Sequence, residues 1–338
     1  YTMTMMTNTI LQGDVRHLLL TLPDKSIQCC VTSPPYFGLR NYGMDEQIGV
    51  EPTPQEFVAE LVKVFREVRR VLKDDGTLWL NLGDSYVNHP SSAVNRNGVT
   101  GTLNNGKSEF PCRVGTRGSQ QRKTIPTGLK PKDLIGIPWR VALALQEDGW
   151  YLRQDIIWHK PNPMPESVKD RCTKAHEYIF LLSKSPKYLF NGTAVAEPIA
   201  ESSKKRYQHA VDTNEQFDPS KHKHTDGVQV PMELLTRAAK GVIERGVRNR
   251  HSVWRIATRN YEGAHFATFP LQIPTLCIKA GSNEGDTILD PFSGAATTGI
   301  AAQNERRNYI GIELNPEYVK LAQERLDKNA NRVVPTLF

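Results

Sequence analysis

The 338-residue sequence has no long apolar run, and 38% of its residues are hydrophobic. A membrane-spanning helix needs about 20 consecutive apolar residues, so the sequence predicts no membrane segment. The chain is nevertheless long enough to bury a substantial core, and it is long for a single minimal domain. We therefore expect one main domain that carries polar insertions.

Cysteine is scarce, and none of its spacings matches a zinc site. The odd number of cysteines and the lack of a recognisable signal peptide predict reduced thiols in a cytoplasmic protein. His222-Lys223-His224 is too isolated to indicate a metal site, so we predict none. Position 1 is Tyr rather than methionine, which leaves the true start residue open. The five cysteines are Cys29, Cys30, Cys112, Cys172 and Cys277.

Acidic residues are too few to balance the basic ones, and the net charge is +7 with a pI near 9.1. Such a charge suits a polyanionic partner. The excess is greatest between Asn95 and Lys132, where Glu109 is the single acid among polar residues. We predict a long mobile loop that orders on a polyanion, with a solvated surface insertion as the alternative. Its basic residues are Arg96, Lys107, Arg113, Arg117, Arg122, Lys123, Lys130 and Lys132.

One apolar segment, Ile27–Val31, runs directly into the motif Thr32-Ser33-Pro34-Pro35-Tyr36. Successive prolines stiffen the backbone, because each ring fixes φ and restricts the residue before it. The loop therefore presents the Ser33 hydroxyl and the Pro34 carbonyl as preorganised hydrogen-bond acceptors, and Tyr36 adds an aromatic face. This arrangement suits the exocyclic amine of a nucleobase. A polyproline-like loop that merely ends a strand would contain the same residues.

A second motif lies near the other end, where Thr287–Asp290 is predicted to be a strand leading into a small-residue turn and a helix beginning near Ala296. Glycine and serine in such a turn let backbone N–H groups approach a ligand closely. Asn308–Glu313 is predicted to be the next strand. Its acid, Glu313, lies roughly 20 residues after Asp290, which is the position that takes ribose hydroxyls. Rossmann-like folds for other dinucleotide-type ligands share this pattern.

Together the two motifs resemble the β group of bacterial and phage DNA amino-methyltransferases, in which the catalytic motif precedes the cofactor motif. The resemblance covers most of the chain and extends to Gly13-Asp14, Gly76–Asp84, Trp158–Asn162 and Ala264–Pro270. It implies an α/β, Rossmann-like S-adenosylmethionine-dependent methyltransferase fold that is circularly permuted. A mixed sheet would carry helices on both faces and DNA-recognition insertions. Such permutation is tolerated because domain termini lie at the surface.

The resemblance also assigns roles to residues of this sequence. The catalytic residues would be Ser33, Pro34, Pro35 and Tyr36, with Phe37 shaping the wall of the base pocket. The cofactor would be S-adenosylmethionine. Its binding residues would be Asp14, Thr32, His265, Phe266, Thr268, Asp290, Phe292, Ser293, Gly294, Thr297 and Glu313.

Ser33 favours cytosine N4 as the methylated atom, because adenine enzymes of this group usually have Asp or Asn before Pro-Pro. Adenine N6 stays the alternative. More remote alternatives are an RNA or protein-amide methyltransferase and a non-catalytic DNA-binding protein. Pro111-Cys112 could imitate the nucleophile of a cytosine-C5 enzyme, but it lies in the basic polar loop without a preceding apolar strand. We therefore predict direct transfer to the amine.

Double-stranded DNA is the expected partner, and the enzyme is expected to act in bacterial cytoplasm, encoded by the bacterium or by a phage. The DNA-binding candidates are Arg113, Arg117, Arg122, Lys123, Arg248, Arg250 and Arg255. Some β-group relatives are dimers, so the resemblance allows a homodimer. The sequence does not determine whether a restriction enzyme accompanies the chain.

The expected organisation has five parts. Residues 8–92 and 133–198 form the catalytic half, 93–132 the basic loop, 199–261 the target recognition region, and 262–330 the cofactor-binding half. For 199–261 the alternative is a surface connector whose Val253 and Trp254 dock on the core. Loops at the carboxyl ends of the strands are expected to bring Ser33 and Ser293 into one cleft. Further candidates for that cleft are Asp84, Trp158, Lys160, Asn162, His176 and Glu177.

Periodicity and turn residues predict the local elements. Predicted helices are Pro54–Lys73 with a capping box at Thr53 and Glu56, Pro138–Gln146, and Pro316–Asp327. Predicted strands are Thr77–Leu82 after a turn at Asp74–Gly76, Tyr151–Trp158, and a hairpin formed by Ile179–Leu182 and Tyr188–Phe190.

Overall fold

The computed structural model describes residues 7–38, 44, 47–87, 128–215, 232–258 and 269–333. Several predictions fall outside these ranges: those for Arg113, Arg117, Arg122 and Lys123 of the basic loop, for Cys112, for His222-Lys223-His224, and for the cofactor-site candidates His265, Phe266 and Thr268.

An eight-stranded mixed sheet organises the described residues. From one edge to the other its strands are β1 (Thr9–Gln12), β10 (Asn308–Glu313), β9 (Thr287–Asp290), β2 (Ile27–Thr32), β3 (Leu72–Leu82), β5 (His176–Ser183), β4 (Tyr151–His159) and β8 (Val253–Arg255). The first five are parallel, and β5 runs antiparallel to both neighbours. A small ribbon pairs β6 (Glu197–Pro198) with β7 (Val247–Arg248). The N-terminal strand β1 thus lies beside β10 from the C-terminal part, as expected for a permuted chain.

The described helices are α1 (Val15–Leu18), α2 (Pro54–Val71), α3 (Ile137–Glu147), α4 (Glu201–Glu215), α5 (Met232–Arg245), α6 (Gln272–Gly281), α7 (Thr297–Asn304) and α8 (Pro316–Val333). The predicted capping box of α2 is present. The Thr53 hydroxyl accepts a hydrogen bond from the Glu56 N–H at 3.2 Å, and the Glu56 carboxylate accepts one from the Thr53 N–H at 3.0 Å. Two of the helix's terminal donors are thereby satisfied locally, which explains why the start was predictable.

The sheet has a hydrophobic core on each face because side chains alternate along every strand. On β3, Leu78 and Leu80 belong to the core formed with α2 and α3, whereas Trp79 belongs to the core formed with α6, α7 and α8. The predicted mixed sheet with helices on both faces is therefore confirmed. In the described part of the chain, no helix combines the length and apolarity needed to cross a membrane.

Two local predictions were wrong. The turn predicted at Asp74–Gly76 lies within β3, where Leu72 pairs with Ile27 and Thr77 pairs with Cys29, so the intervening residues form a bulge. The hairpin is also absent, because Tyr188–Phe190 forms no strand. Instead β5 inserts between β3 and β4 and pairs with both. With its two edges occupied, β5 has no free edge for a hairpin partner.

Candidate active site

The candidate site lies where two neighbouring parallel strands end. Cys30 of β2 pairs with Leu289 of β9, so Thr32 and Asp290 meet at the carboxyl edge of the sheet. The strand that follows β9 in the chain, β10, lies on one side, whereas the strand that follows β2, β3, lies on the other. Such a switch point is the usual ligand position in an open α/β sheet.

A cleft occupies this position and brings the two sequence motifs together. The catalytic-loop residues Ser33, Pro34, Pro35 and Tyr36 line it together with the cofactor candidates Asp14, Asp290, Phe292, Ser293, Gly294, Thr297 and Glu313. Sequence motifs that lie far apart in the chain therefore share one cavity, as predicted from the strand–loop pattern.

The two halves of the cleft are joined by a buried hydrogen-bond network around Asp290. Its carboxylate accepts hydrogen bonds from the Thr32 and Thr298 hydroxyls, each at 2.7 Å, and from the Phe292 N–H at 3.1 Å. Thr32, predicted to touch the cofactor, does not itself line the cleft but donates a hydrogen bond to Asp290, which does. Burial raises the pKa of Asp290 from 3.8 to about 6, although the three hydrogen bonds oppose that shift.

We expect Asp290→Asn to change the pH dependence of folding. Because the folded-state pKa lies above the unfolded value, the contribution of Asp290 to stability is complete below about pH 4 and is lost as pH rises through 6. Relative to the Asn variant, the free energy of unfolding of the wild type should fall by about 3 kcal/mol over that pH range. Urea unfolding of both proteins between pH 4 and 7 measures this difference. A difference that is constant with pH, like that expected for the exposed control Asp327→Asn, would contradict the prediction.

The conformation of the turn after β9 is fixed by its backbone dihedral angles and by hydrogen bonds to β10. Gly294 has φ +50 and Ala296 has φ +55, so the chain turns through left-handed conformations before α7 begins at Thr297. The Ser293 hydroxyl lies 2.9 Å from the hydroxyl of the buried Tyr309. Ser293 also donates its N–H to the Ile312 carbonyl at 2.9 Å. The predicted start of this helix near Ala296 is confirmed to within one residue.

Glu313, the predicted ribose acid, ends β10 at the same turn. Its two carboxylate oxygens accept hydrogen bonds from the Gly294 and Asn315 N–H groups, both at 2.9 Å. Burial raises the pKa of Glu313, and these backbone hydrogen bonds oppose the shift. The carboxylate is thus oriented at the cleft wall by backbone donors on both sides, and it has lone pairs left to accept hydrogen bonds from a ligand.

Asp14 lines the cleft beside Glu313, because Gln12 of β1 pairs with Glu313 of β10 and Gly13 donates its N–H to the Glu313 carbonyl at 2.9 Å. Asp14 also stabilises the local structure. It caps α1 by accepting a hydrogen bond from the Arg16 N–H at 2.7 Å, and it forms an ion pair with the Arg16 guanidinium at 2.5 Å. Arg16 also lies 3.4 Å from Glu60 on α2. The carboxylate is therefore anchored before any ligand arrives.

The Tyr36 ring of the catalytic loop packs against Gly83, the residue that directly follows β3. A Cβ atom at Gly83 would lie 2.3 Å from Cε2 of the Tyr36 ring, so the ring can pack there only because residue 83 has no side chain. The Tyr36 hydroxyl donates a hydrogen bond to Glu177 at 2.8 Å. Farther along the loop, Gly38 donates its N–H to the Gly49 carbonyl at 2.8 Å. Both contacts hold the loop against the core.

Gly83→Ala should displace the Tyr36 ring and lower the rate of methyl transfer by about tenfold, because catalytic groups displaced by about 1 Å lose much of their effect. Single-turnover assays and thermal unfolding would measure the rate and the stability. Gly241→Ala on α5 is the matched control, since its added methyl would lie 3.8 Å from the nearest atom. An active Gly83→Ala enzyme with wild-type kinetics would contradict the packing argument.

Other residues proposed for the cleft have different positions. Asp84 accepts hydrogen bonds from the Gly136 and Ile137 N–H groups at 3.0 and 3.1 Å, so it caps the start of α3. Trp158 is buried, and its indole N–H donates to a backbone carbonyl. Asn162 forms two hydrogen bonds with the backbone of residue 258. Lining residues that sequence reasoning did not identify include Gln47, Ile48, Asn315 and Tyr318, which no motif distinguishes.

The described arginines predicted to contact DNA lie on β7, in the connection from β7 to β8, and on β8. Arg248 and Arg250 form ion pairs with Glu197 at 3.5 and 3.2 Å. Arg255 on β8 is exposed. Trp254 is buried in the core whereas Val253 is 55% exposed, so only one of the two residues named in the alternative surface-connector interpretation docks on the core. Direct DNA contact by these arginines stays a prediction.

Comparison with known proteins decides the family. The model of the DNA methylase family N6_N4_Mtase matches residues 27–324. The chain belongs to this family. Type II methyltransferase M.XycI from Xanthomonas campestris pv. cyanopsidis is 44% identical over 327 residues, which are 97% of this chain and 90% of that protein. The expected class, a bacterial DNA amino-methyltransferase, is therefore confirmed.

Solved structures agree on the fold of this methyltransferase. The cytosine-N4-specific PvuII DNA methyltransferase matches with a TM-score of 0.54 and 20% identity, covering 98% of this chain and 93% of that chain. The protein TTHA0409 from Thermus thermophilus, solved in complex with S-adenosyl-L-methionine, matches with a TM-score of 0.53 and 23% identity over 94% of both chains. The predicted methyltransferase fold is thus confirmed.

Proposed function

We propose that this methyltransferase moves a methyl group from S-adenosylmethionine to the N4 amine of a cytosine flipped out of double-stranded DNA. The observation that carries the proposal is that the Ser33–Tyr36 loop and the Asp290–Gly294 turn line the same cleft. A flipped base is required because the amine of a paired base is not accessible inside the duplex.

The cofactor is S-adenosylmethionine, and the cleft fits its chemistry. A nucleoside needs an acceptor for its ribose hydroxyls, which Glu313 supplies from its oriented carboxylate. It also needs close approach to the backbone. Gly294 meets this need, because a Cβ built there would have no atom within 4 Å. Phe292 and Tyr318 add aromatic surface to the same cleft. When bound, the cofactor supplies an electrophilic methyl group.

The residues of the chain prepare the amine for attack. The Ser33 hydroxyl and the Pro34 carbonyl accept its two hydrogens, which draws the nitrogen out of conjugation with the ring. Tyr36 provides the surface on which the base stacks. We assign no general base, because the nitrogen becomes acidic as positive charge develops on it during transfer. No covalent bond to the enzyme is needed, so the buried Cys29 and Cys30 have no part in the reaction.

DNA contact is assigned to residues 199–261, whose described part contains α4 and α5 packed against each other. Exposed basic side chains there include Arg245 at the end of α5 and Arg255 on β8. Together with the basic loop at 93–132 they would supply phosphate contacts. This region is the proposed target recognition region. A homodimer and a cytoplasmic location remain predictions, and light scattering of the purified protein tests the first.

Nucleoside mass spectrometry tests the proposed product. Unmethylated DNA is incubated with the protein and S-adenosylmethionine, digested to nucleosides and analysed. N4-methylcytosine is the expected product. N6-methyladenine would preserve the mechanism and overturn the base assignment made from Ser33. No methylated nucleoside in any DNA tested, with methylation of RNA or protein instead, would overturn the proposed substrate class.

A further inference from the structure

Behind the catalytic loop lies a charged network that the proposed reaction does not use. Glu177 accepts hydrogen bonds at one oxygen from the Tyr36 hydroxyl at 2.8 Å and the Asn81 amide at 3.3 Å. Its other oxygen forms an ion pair with Lys160. The side chains of Glu177 and Lys160 are 14% and 20% exposed. Both oxygens of Glu177 are therefore engaged.

Strand pairing places this network. Glu177 lies on β5 opposite Trp158 of β4, and the Lys160 ammonium lies 4.3 Å from the centroid of the Trp158 ring. Taking two charges out of water is costly even when they pair, so such a pair is weak evidence for stability. Its hydrogen bond to a loop on the cleft wall suggests a role in orienting that loop.

We propose that Glu177 is a positioning residue for methyl transfer, acting through the Tyr36 hydroxyl. By accepting the Tyr36 proton in a hydrogen bond, Glu177 fixes the ring at the cleft wall. It also directs the lone pairs of the Tyr36 oxygen toward the Ser33 side of the loop. This inference rests on the proposed catalytic role of residues 33–36.

The chemistry of Ser33 explains why that direction matters. A serine hydroxyl has one proton to donate and two lone pairs that accept. When the Ser33 hydroxyl donates its hydrogen bond to the Tyr36 oxygen, both lone pairs of the Ser33 oxygen are free to accept hydrogen bonds from the amine. Burial, followed by the charge of Glu177, raises the pKa of Tyr36 well above its ordinary value, whereas interactions with Ser33 and the Gly83 N–H oppose that shift. Tyr36 is therefore protonated, and its hydroxyl donates a hydrogen bond to Glu177.

A double-mutant cycle of Tyr36→Phe and Glu177→Gln tests the inference. Each single variant should lower the single-turnover rate constant about tenfold, the effect of losing a hydrogen bond to a charged group. The double variant should be no slower than the slower single one, because both changes break the same contact. The dissociation constant for S-adenosylmethionine should not change. Glu166→Gln is the matched control, since it also removes one carboxylate from an ion pair, with Arg171.

Tyr36→Phe leaves the Glu177–Lys160 pair intact, so it reports on the hydroxyl even if Glu177→Gln folds poorly. Lys160→Met combined with Glu177→Gln removes the unpaired charge in that case. Wild-type rates in Tyr36→Phe, or multiplicative losses in the double variant, would overturn the positioning role. Both outcomes leave the proposed function intact, whereas an inactive wild type would overturn that function instead.

Discussion

Ser33→Ala should reduce methyl transfer by about 100- to 1000-fold, the usual effect of removing one preorganised hydrogen-bonding group from a transition state. The hydroxyl lies in a loop stiffened by two prolines and supported by the Tyr36–Glu177 hydrogen bond, so no neighbouring group can easily replace it. Rapid-quench single-turnover assays measure the loss, with unmethylated DNA that the wild-type enzyme is able to methylate as the substrate.

The same variant should bind S-adenosylmethionine with the wild-type dissociation constant, because the cofactor turn lies on the other wall of the cleft. Ser26→Ala is a suitable control, since the Ser26 hydroxyl donates to the Pro23 carbonyl in a surface turn. Comparable turnover by Ser33→Ala and Ser26→Ala would remove the acceptor role of Ser33 from the mechanism.

Glu313→Ala should weaken S-adenosylmethionine binding by about 10- to 100-fold, because it removes a charged acceptor for the ribose hydroxyls. The substitution also removes the partner of the Gly294 and Asn315 N–H groups, which shape the turn. Isothermal titration calorimetry measures the affinity, and thermal unfolding shows how much of the loss comes from the turn itself.

Glu317→Ala, an exposed carboxylate in the first turn of α8, is the control for a general change in charge. Glu313→Gln distinguishes the two roles of Glu313, because it retains one acceptor oxygen at nearly the same volume. An unchanged dissociation constant for Glu313→Ala would contradict the ribose assignment, whatever happens to stability.

Much of the scaffold was predictable because its determinants are local. The start of α2 depends on Thr53 and Glu56, which satisfy each other's backbone donors within one turn. The strand Asn308–Glu313 was predicted with its observed bounds, since an apolar run between turn residues has few alternatives. Errors arose where local signals were overruled. The residues at 74–76 favour a turn, yet pairing of Leu72 and Thr77 with β2 keeps them within β3.

The sequence by itself determined the chemistry of the two motifs, namely acceptors on a proline-stiffened loop and an acid after a small-residue turn. It also indicated the family, because motif order and residue types are properties of the chain alone. The tertiary structure decided which distant residues meet. The order of strands brings Thr32 to Asp290, Tyr36 to Glu177, and Arg248 and Arg250 to Glu197. These contacts depend on which strands become neighbours, and that choice is made by burial on both faces of the whole sheet rather than by any local pattern.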